Sequence, residues 1–547
     1  MKQFHLGLGL SLCLLLPALS AGGSAPDSPA ALSRMLDARL AQDRTGACVQ
    51  AALIDKGQVL RASRCAGTRQ DGPPAQDAAF EIGSVSKTMT AFLAADLVAR
   101  GAWSLDDPIA RHLPQGAELP RQGERQILLR DLLTHSSGLP PLPPGMTARD
   151  PADPFAGLDE AQLLASLGRV RLTRPIGSQV EYSNFGMMLV SLAVARAQGG
   201  DFETALRKGL FEPLGMRQAH VRPVAQRVLA QGHLPGGAPT KAWTVSPNLA
   251  GVGMVRASLD DMARYARAQL GEAPEALAAA LRLTQQPLAH GFAMNWMSRS
   301  LQGHELLMHE GATGGFSAFI AVEVARQRAV VLLSDTALAD LGGLGDLGLA
   351  MLGLDVPLRP RRTAEPAPAL RKALSGDYEL AGMTLRIWEG EDGRLMAQAA
   401  GQQAFELKYD SFGDFYPQGF SALLSPLPPS RADAPVERFV WRQMGGVSEG
   451  RRRGQQDAPP TISNPAWRDW AGEFQLAPQF SLKVFERDGQ LVVQGSGQPA
   501  IPAEVSGEDR IAIPAVGAVV SFERDAAGRV VAAVLQQNGQ RLRGPKR

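Results

Sequence analysis

Histidine and cysteine are scarce in this 547-residue chain, and the positions of the few present exclude whole classes of chemistry. The eight histidines include no pair at metal-ligand spacing of the His-Glu-x-x-His kind, and no glycine-rich phosphate loop follows a strand, so no metal or other cofactor is expected. An excess of one charge is missing as well: 56 basic residues against 54 acidic ones give a formal +2, with no strongly basic patch to receive nucleic acid. Past the N-terminal segment, no apolar run reaches the ~18 residues that a spanning helix requires.

That N-terminal segment has Lys2 near its start, an apolar core from Leu6 to Leu19, and the small residues Ser20, Ala21, Gly22 and Gly23. It reads as a secretory signal peptide over residues 1–25, so a soluble mature protein, periplasmic or secreted and with no stable membrane span, is expected. Cys13 falls inside this discarded peptide, and Leu12 precedes it where a lipoprotein signal needs a small residue. Cys48 and Cys65 remain. They flank a readable hairpin: Val49 to Ile54, a turn at Asp55-Lys56-Gly57, then Gln58 to Ser63. With Lys56-Gly57 as the two-residue loop, Asp55 faces Gln58, and counting outwards brings Cys48 opposite Cys65 at a non-hydrogen-bonded pair, where side chains lie closest. A disulfide is predicted there; a one-residue slip would put the two side chains on opposite faces.

Lysine is also sparse, because arginine supplies most of the positive charge, yet Lys87 sits in an otherwise uncharged segment, Ile82 to Leu93. A buried, functional lysine accounts for that better than solvation. Ser84 opens a stretch to Arg100 whose apolar residues Val85, Met89, Phe92, Leu93 and Leu97 recur at helical spacing and which stops at Gly101. Ser84 and Lys87 therefore share a helical face at the positive helix end, as a hydroxyl nucleophile and its base require. Tyr182-Ser183-Asn184 follows the turn residues Pro175, Ile176 and Gly177 and precedes a helix-like run, Phe185 to Ala195, which places it on a loop. A neighbouring ammonium is expected to lower the tyrosine from its usual ~10, so that it shares proton transfer with Lys87. His309-Glu310-Gly311 follows Leu306-Leu307-Met308, with further strands expected at Phe316 to Val324 and Ala329 to Leu333. His135-Ser136-Ser137-Gly138 reads as a turn rather than a triad fragment, because triad members meet through the fold, and Ser258-Leu259-Asp260-Asp261 reads as a helix cap.

Taken together, these segments resemble the penicillin-recognising serine hydrolases: class C β-lactamases, DD-carboxypeptidases, D-aminopeptidases and related esterases. The likeness rests on Phe80-Glu81-Ile82-Gly83-Ser84-Val85-Ser86-Lys87, Leu105-Asp106-Asp107-Pro108, Asp131 to Leu139 and Glu181-Tyr182-Ser183-Asn184. It continues through Glu212-Pro213-Leu214-Gly215-Met216, Ala250-Gly251-Val252-Gly253 and His309 to Gly315. The resemblance implies an α+β catalytic domain, an antiparallel sheet flanked by helices. Ser84 would attack a carbonyl, Lys87 accept its proton, and Tyr182 relay a proton to the leaving group. Asn184 would hold the Lys87 head group and the acyl side chain, and the backbone N–H groups of Ser84 and Ala312 would hold the oxyanion, provided that His309 to Ala312 lies on an edge strand.

One motif departs from the lysine-threonine-glycine pattern of β-lactamases and DD-peptidases. His309 stands where they carry a permanent cation, and Glu310 adds negative charge, so anionic substrates should bind less well. His309-x-Gly311 resembles D-aminopeptidases and family esterases, although a tautomer-fixed strand histidine without catalytic duty is the alternative. The expected activity is an exported serine hydrolase acting on a small-molecule or short-peptide substrate, with D-amino-acid peptides or amides leading. A β-lactamase, a DD-carboxypeptidase, an esterase and a non-catalytic cell-wall-peptide binder are the alternatives.

A chain this long calls for roughly three domains. Leu358 to Leu370 and Glu449 to Pro465 read as linkers, which bound a catalytic domain over 26–357 and two further segments, 371–450 and 466–547. These two segments correspond: Leu374-Ser375-Gly376-Asp377-Tyr378-Glu379-Leu380 matches Trp470-Ala471-Gly472-Glu473-Phe474-Gln475-Leu476, and Leu385-Arg386-Ile387-Trp388 matches Leu482-Lys483-Val484-Phe485. One duplicated all-β, barrel-like unit is the economical explanation. The layout resembles secreted D-aminopeptidases, in which a barrel loop reaches the catalytic cleft; spacers or a homodimer surface are the alternative roles.

Overall fold

The computed structural model describes residues 25–546 apart from 68, 70–71, 173, 226, 419, 428–433, 444–445, 454–466, 478–479, 488–489, 496–500, 515–517 and 538–539. The signal-peptide reading of residues 1–25 thus lies outside the described residues except for Ala25, as does most of the second expected linker. The chain forms two compact units, Met1–Pro360 and Arg361–Arg547.

In the first unit the hairpin Cys48–Asp55 and Gln58–Cys65 turns through Lys56 and Gly57, both at positive φ (49° and 85°), the geometry of a tight twisted hairpin loop. Asp55 faces Gln58 and Cys48 faces Cys65, with their Cα atoms 3.9 Å apart and their sulfurs bonded. The hairpin heads a six-stranded antiparallel sheet that continues through Arg328–Ser334, Ser317–Glu323, His304–Ala312 and Met297–Leu301. Ser317–Glu323 is buried along its whole length, because helices cover the sheet. Pro29–Leu40 packs on Gln58–Cys65 and against Gly345–Met351, while Leu259–Gln269 packs on Arg328–Ser334 and Cys48–Asp55. Ser258 caps Leu259–Gln269 through a capping box with Asp261.

A helical layer lies beside this sheet. Its centre is Ser86–Ala99, buried on nearly every face and packed against Asn184–Ala197 and Glu275–Thr284. Met89, Phe92 and Leu93 are wholly buried there, each contributing roughly 1.5–3 kcal/mol of hydrophobic stabilisation and fixing the helix that carries Lys87.

The second unit is all β. Strands between Gly376 and Arg452 close into an eight-stranded barrel through the pairing of Leu395–Ala399 with Phe405–Asp410. Gly446–Arg452 is the last barrel strand, so the barrel runs past the expected boundary at residue 450, and Leu358 to Leu370 contains a short strand, Thr363–Ala364, and the start of the helix Pro368–Leu374. The strands after 470 form a four-stranded and a five-stranded sheet, joined by a bridge between Phe474 and Lys546. The correspondence seen in sequence recurs in register. Gly376 pairs with Ile387 and Tyr378 with Leu385, as Gly472 pairs with Val484 and Phe474 with Leu482. Each segment also sets a cation over the aromatic ring, Arg452 at the end of its closing strand at 5.0 Å from Tyr378 and Lys546 just past its closing strand at 5.8 Å from Phe474, and each cation lies against the matching glycine.

Candidate active site

The site starts from two backbones that approach too closely for side chains. Ser84 sits in a short 3₁₀ turn, Gly83–Val85, just ahead of Ser86–Ala99 rather than within it. A Cβ added at Gly311 would collide with the carbonyl of Ile82 and stand 3.2 Å from the nitrogen of Ser84, and one at Gly83, where φ is 51°, would collide with Ala312. Glycine at both positions lets the backbone nitrogens of Ser84 and Ala312 converge. His304–Ala312 is not the sheet's edge strand, since Met297–Leu301 lies outside it. That outer pairing stops at Met308, however, which leaves His309–Ala312 free to meet the Ser84 turn.

Lys87 is completely buried, and its Nζ lies 2.8 Å from Ser84 Oγ and 2.6 Å from the carbonyl oxygen of Val252. Burial lowers its pKa from 10.5 to about 7, so near neutrality a large fraction of it is uncharged and able to accept a proton. The Val252 carbonyl occupies the role expected of Asn184. Asn184 is the first residue of the helix Asn184–Ala197, at the site but with no bond to Lys87, while Ser183 caps that helix by accepting from Gly186 N at 2.9 Å.

Tyr182 completes the constellation, its ring centroid 5.0 Å from Lys87 Nζ. Tyr182 keeps 39% of its surface exposed, while burial around its hydroxyl raises the pKa against the opposing pull of a hydrogen bond with Ser84. The expected lowering by an ammonium is absent because burial has already made Lys87 a weak cation. Tyr182 is therefore a proton-holding hydroxyl rather than a phenolate.

His309 is 2% exposed, and its Nδ1 donates to the carbonyl oxygen of Glu310 at 2.6 Å, which leaves Nε2 as a buried acceptor without a partner. Burial, then the charge of Lys87, lowers its pKa to about 4, so at neutral pH it is no cation. Strand alternation turns Glu310 to the opposite face, where its partly exposed side chain rests against Gly343 and Gly345. Burial of that carboxylate and the charge of Asp346 raise it to about 7, and it contributes little to the pocket of His309.

Two residues escaped the sequence reading. Val252 offers only a backbone carbonyl, which no side chain advertises, although its motif Ala250 to Gly253 stood out. His135, expected only to turn a loop, is 1% exposed and lies with its ring 4.3 Å from that of Tyr182 and edge-on to Phe292 at 5.6 Å. Its Nδ1 accepts from Ser183 N at 3.2 Å, which places the ring proton on Nε2, near Asn295. Among the described residues, no group of three His, Cys, Asp or Glu side chains is placed to hold a metal ion.

Residues 32–345 match the family model described as Beta-lactamase. The chain is 32% identical over 150 residues to the D-alanyl-D-alanine-carboxypeptidase/endopeptidase AmpH of Escherichia coli, covering 27% of this chain but only 38% of that protein. It is 28% identical over 335 residues to penicillin-binding protein 4 of Amycolatopsis lactamdurans, covering 56% and 86%. Esterase EstB of Burkholderia gladioli is 27% identical over 371 residues, covering 57% and 92%. Among solved structures, a β-lactamase from Sulfitobacter sp. EE-36 aligns at 23% identity with a TM-score of 0.48, over 57% of this chain and 94% of that one.

Proposed function

The chain belongs to the β-lactamase family, and from that premise we propose that it is a serine hydrolase working through a Ser84 acyl-enzyme on small amide or ester substrates, with D-amino-acid peptides and amides as the leading class. The observation that carries this reading is the buried Lys87 Nζ, 2.8 Å from Ser84 Oγ and shifted to about 7. Neutral Lys87 takes the Ser84 proton as Oγ attacks the substrate carbonyl. The oxygen that becomes negative lies between the N–H groups of Ser84 and Ala312, whose approach depends on Gly83 and Gly311. Tyr182 passes its proton to the leaving nitrogen or oxygen and recovers one from Lys87. Water then attacks the ester on Ser84, giving its proton back through the same pair, and Ser84 leaves as a hydroxyl.

His309 and Asn184 bind substrate in this reading. An uncharged His309 favours substrates with no carboxylate beside the scissile bond, which supports D-aminopeptidase-like over β-lactamase-like preference. The match to most of esterase EstB favours ester cleavage as the second reading. Export to the periplasm or beyond is supported by the N-terminal apolar run and by the Cys48–Cys65 disulfide, which belongs in an oxidising compartment.

The test compares hydrolysis of D-alanine p-nitroanilide, a chromogenic cephalosporin and a short p-nitrophenyl ester by wild type and Ser84→Ala. A Ser84-dependent preference for the anilide is expected. Preferred cephalosporin turnover would replace the aminopeptidase reading with a β-lactamase one, and activity retained by Ser84→Ala would overturn the mechanism.

A further inference from the structure

Away from Ser84, residues 143–169 wrap a cavity of about 350 Å³ whose lining includes Arg149, Arg169, Thr147 and Gln162 but no carboxylate. The two guanidinium groups are seated on glycines. Arg169 lies across Gly145, where φ is 79° and a side chain would collide with it, and Arg149 lies 3.5 Å from the place a Cβ of Gly157 would take, where φ is 80°. Both arginines are exposed at the cavity, and among the described residues neither makes an ion pair.

The nearby acids are engaged elsewhere. Asp150 pairs with Lys241 at 3.0 Å, Asp153 accepts from Thr244 N at 2.9 Å, Asp159 caps its helix through Gln162 N at 2.8 Å, and Glu160 accepts from Asn248 at 2.8 Å. Two guanidinium groups lining one cavity without a carboxylate partner offer it charge-assisted donors that an anion can take up.

The same segment is tied to the surroundings of the catalytic site at its start and near its middle. Its approach, Pro140 and Pro141, accepts hydrogen bonds from Ser183 Oγ at 2.7 Å and Phe185 N at 3.2 Å, next to Tyr182 and Asn184. Between the lining residues Pro154 and Ala156, Phe155 packs edge-on to Trp243 at 5.6 Å, and Trp243 Nε1 is 2.6 Å from where a Cβ of Gly314 would stand, two residues past Ala312.

We propose that this cavity binds a carboxylate that the substrate carries at a distance from the scissile carbonyl, an inference that rests on the acyl-enzyme reading above. With His309 in place of a permanent cation, that strand position gives a substrate carboxylate no ion-pair partner, and Arg149 with Arg169 move recognition of the anionic group outwards. A volume of about 350 Å³ accommodates a carboxylate with a short carbon chain.

The experiment uses two p-nitrophenyl esters of glutaric acid, one with its far carboxylate free and one with it methylated. In Arg149→Gln/Arg169→Gln, the ratio of kcat/KM for the acid over the methyl ester should fall about tenfold from wild type, through KM. An unchanged ratio overturns the proposal. Glutarate binding to Ser84→Ala, read by isothermal titration, needs no turnover: binding that the double arginine variant loses upholds the subsite even if neither ester is cleaved, whereas absent or unaltered binding sinks it.

Discussion

The imidazole of His135 lies against the ring of Tyr182, centroids 4.3 Å apart and planes tilted by 32°, while its Nδ1 holds the backbone N–H of the next residue, Ser183. One buried side chain thus fixes both the ring and the backbone of the loop carrying the proposed proton relay. His135 itself adopts a positive φ of 55°, a strained conformation for a non-glycine residue that the surrounding contacts sustain.

His135 is accordingly a positioning residue. In His135→Phe the stacking surface remains and the bond to Ser183 is lost, so kcat should fall by roughly 10- to 100-fold while KM changes little. Steady-state kinetics with a p-nitrophenyl ester, beside circular dichroism to establish folding, makes the check. A change confined to KM would assign His135 to substrate binding instead.

The pH profile follows from the opposite shifts of Lys87 and Tyr182. Lys87 must be neutral to accept a proton, so kcat/KM should rise with pH through an inflection at about 7, the value to which burial lowers it. Tyr182 must stay protonated, and burial raises its pKa, so no fall is expected up to pH ~10. A profile flat between about pH 5 and 9 would remove Lys87 as the base.

The same burial makes Lys87 a cost to the fold. Its pKa is near 10.5 when unfolded and about 7 when folded, so between those values the unfolded chain binds the proton more strongly. Stability therefore rises with pH through that window, and the penalty is fully present below about 7. Lys87→Met should abolish activity yet unfold at a higher temperature at pH 7, by on the order of 1–3 kcal/mol, with the gain shrinking toward pH 10. Thermal denaturation at both pH values checks this; a lower midpoint at pH 7 would contradict it.

Several of these features were legible in the sequence because they depend on local geometry. Ser84 and Lys87 lie three residues apart and necessarily share a face; Lys56-Gly57 sets a countable hairpin register that carries Cys48 to Cys65; Ser258 and Asp261 form a cap from their spacing alone. The resemblance implied that the N–H groups of Ser84 and Ala312 converge, but the close approach at Gly83 and Gly311 that permits it was not legible, since backbone approach leaves no side-chain pattern. The Val252 carbonyl was hidden for the same reason. The sign of the Tyr182 shift was misjudged because it depends on burial of both tyrosine and lysine, which belongs to the tertiary fold. Arg149 and Arg169 gave no signal either, their lack of partners emerging only once Asp150, Asp153, Asp159 and Glu160 were seen to face elsewhere.

The most direct test of the central claim is to trap the acyl-enzyme. Wild type is mixed with a p-nitrophenyl ester, quenched in acid within the first turnover and digested for mass spectrometry. The account predicts an added acyl mass on the peptide containing Ser84, absent from Ser84→Ala and from Lys87→Met. An acyl group on another residue, or turnover with no covalent adduct at Ser84, would contradict it.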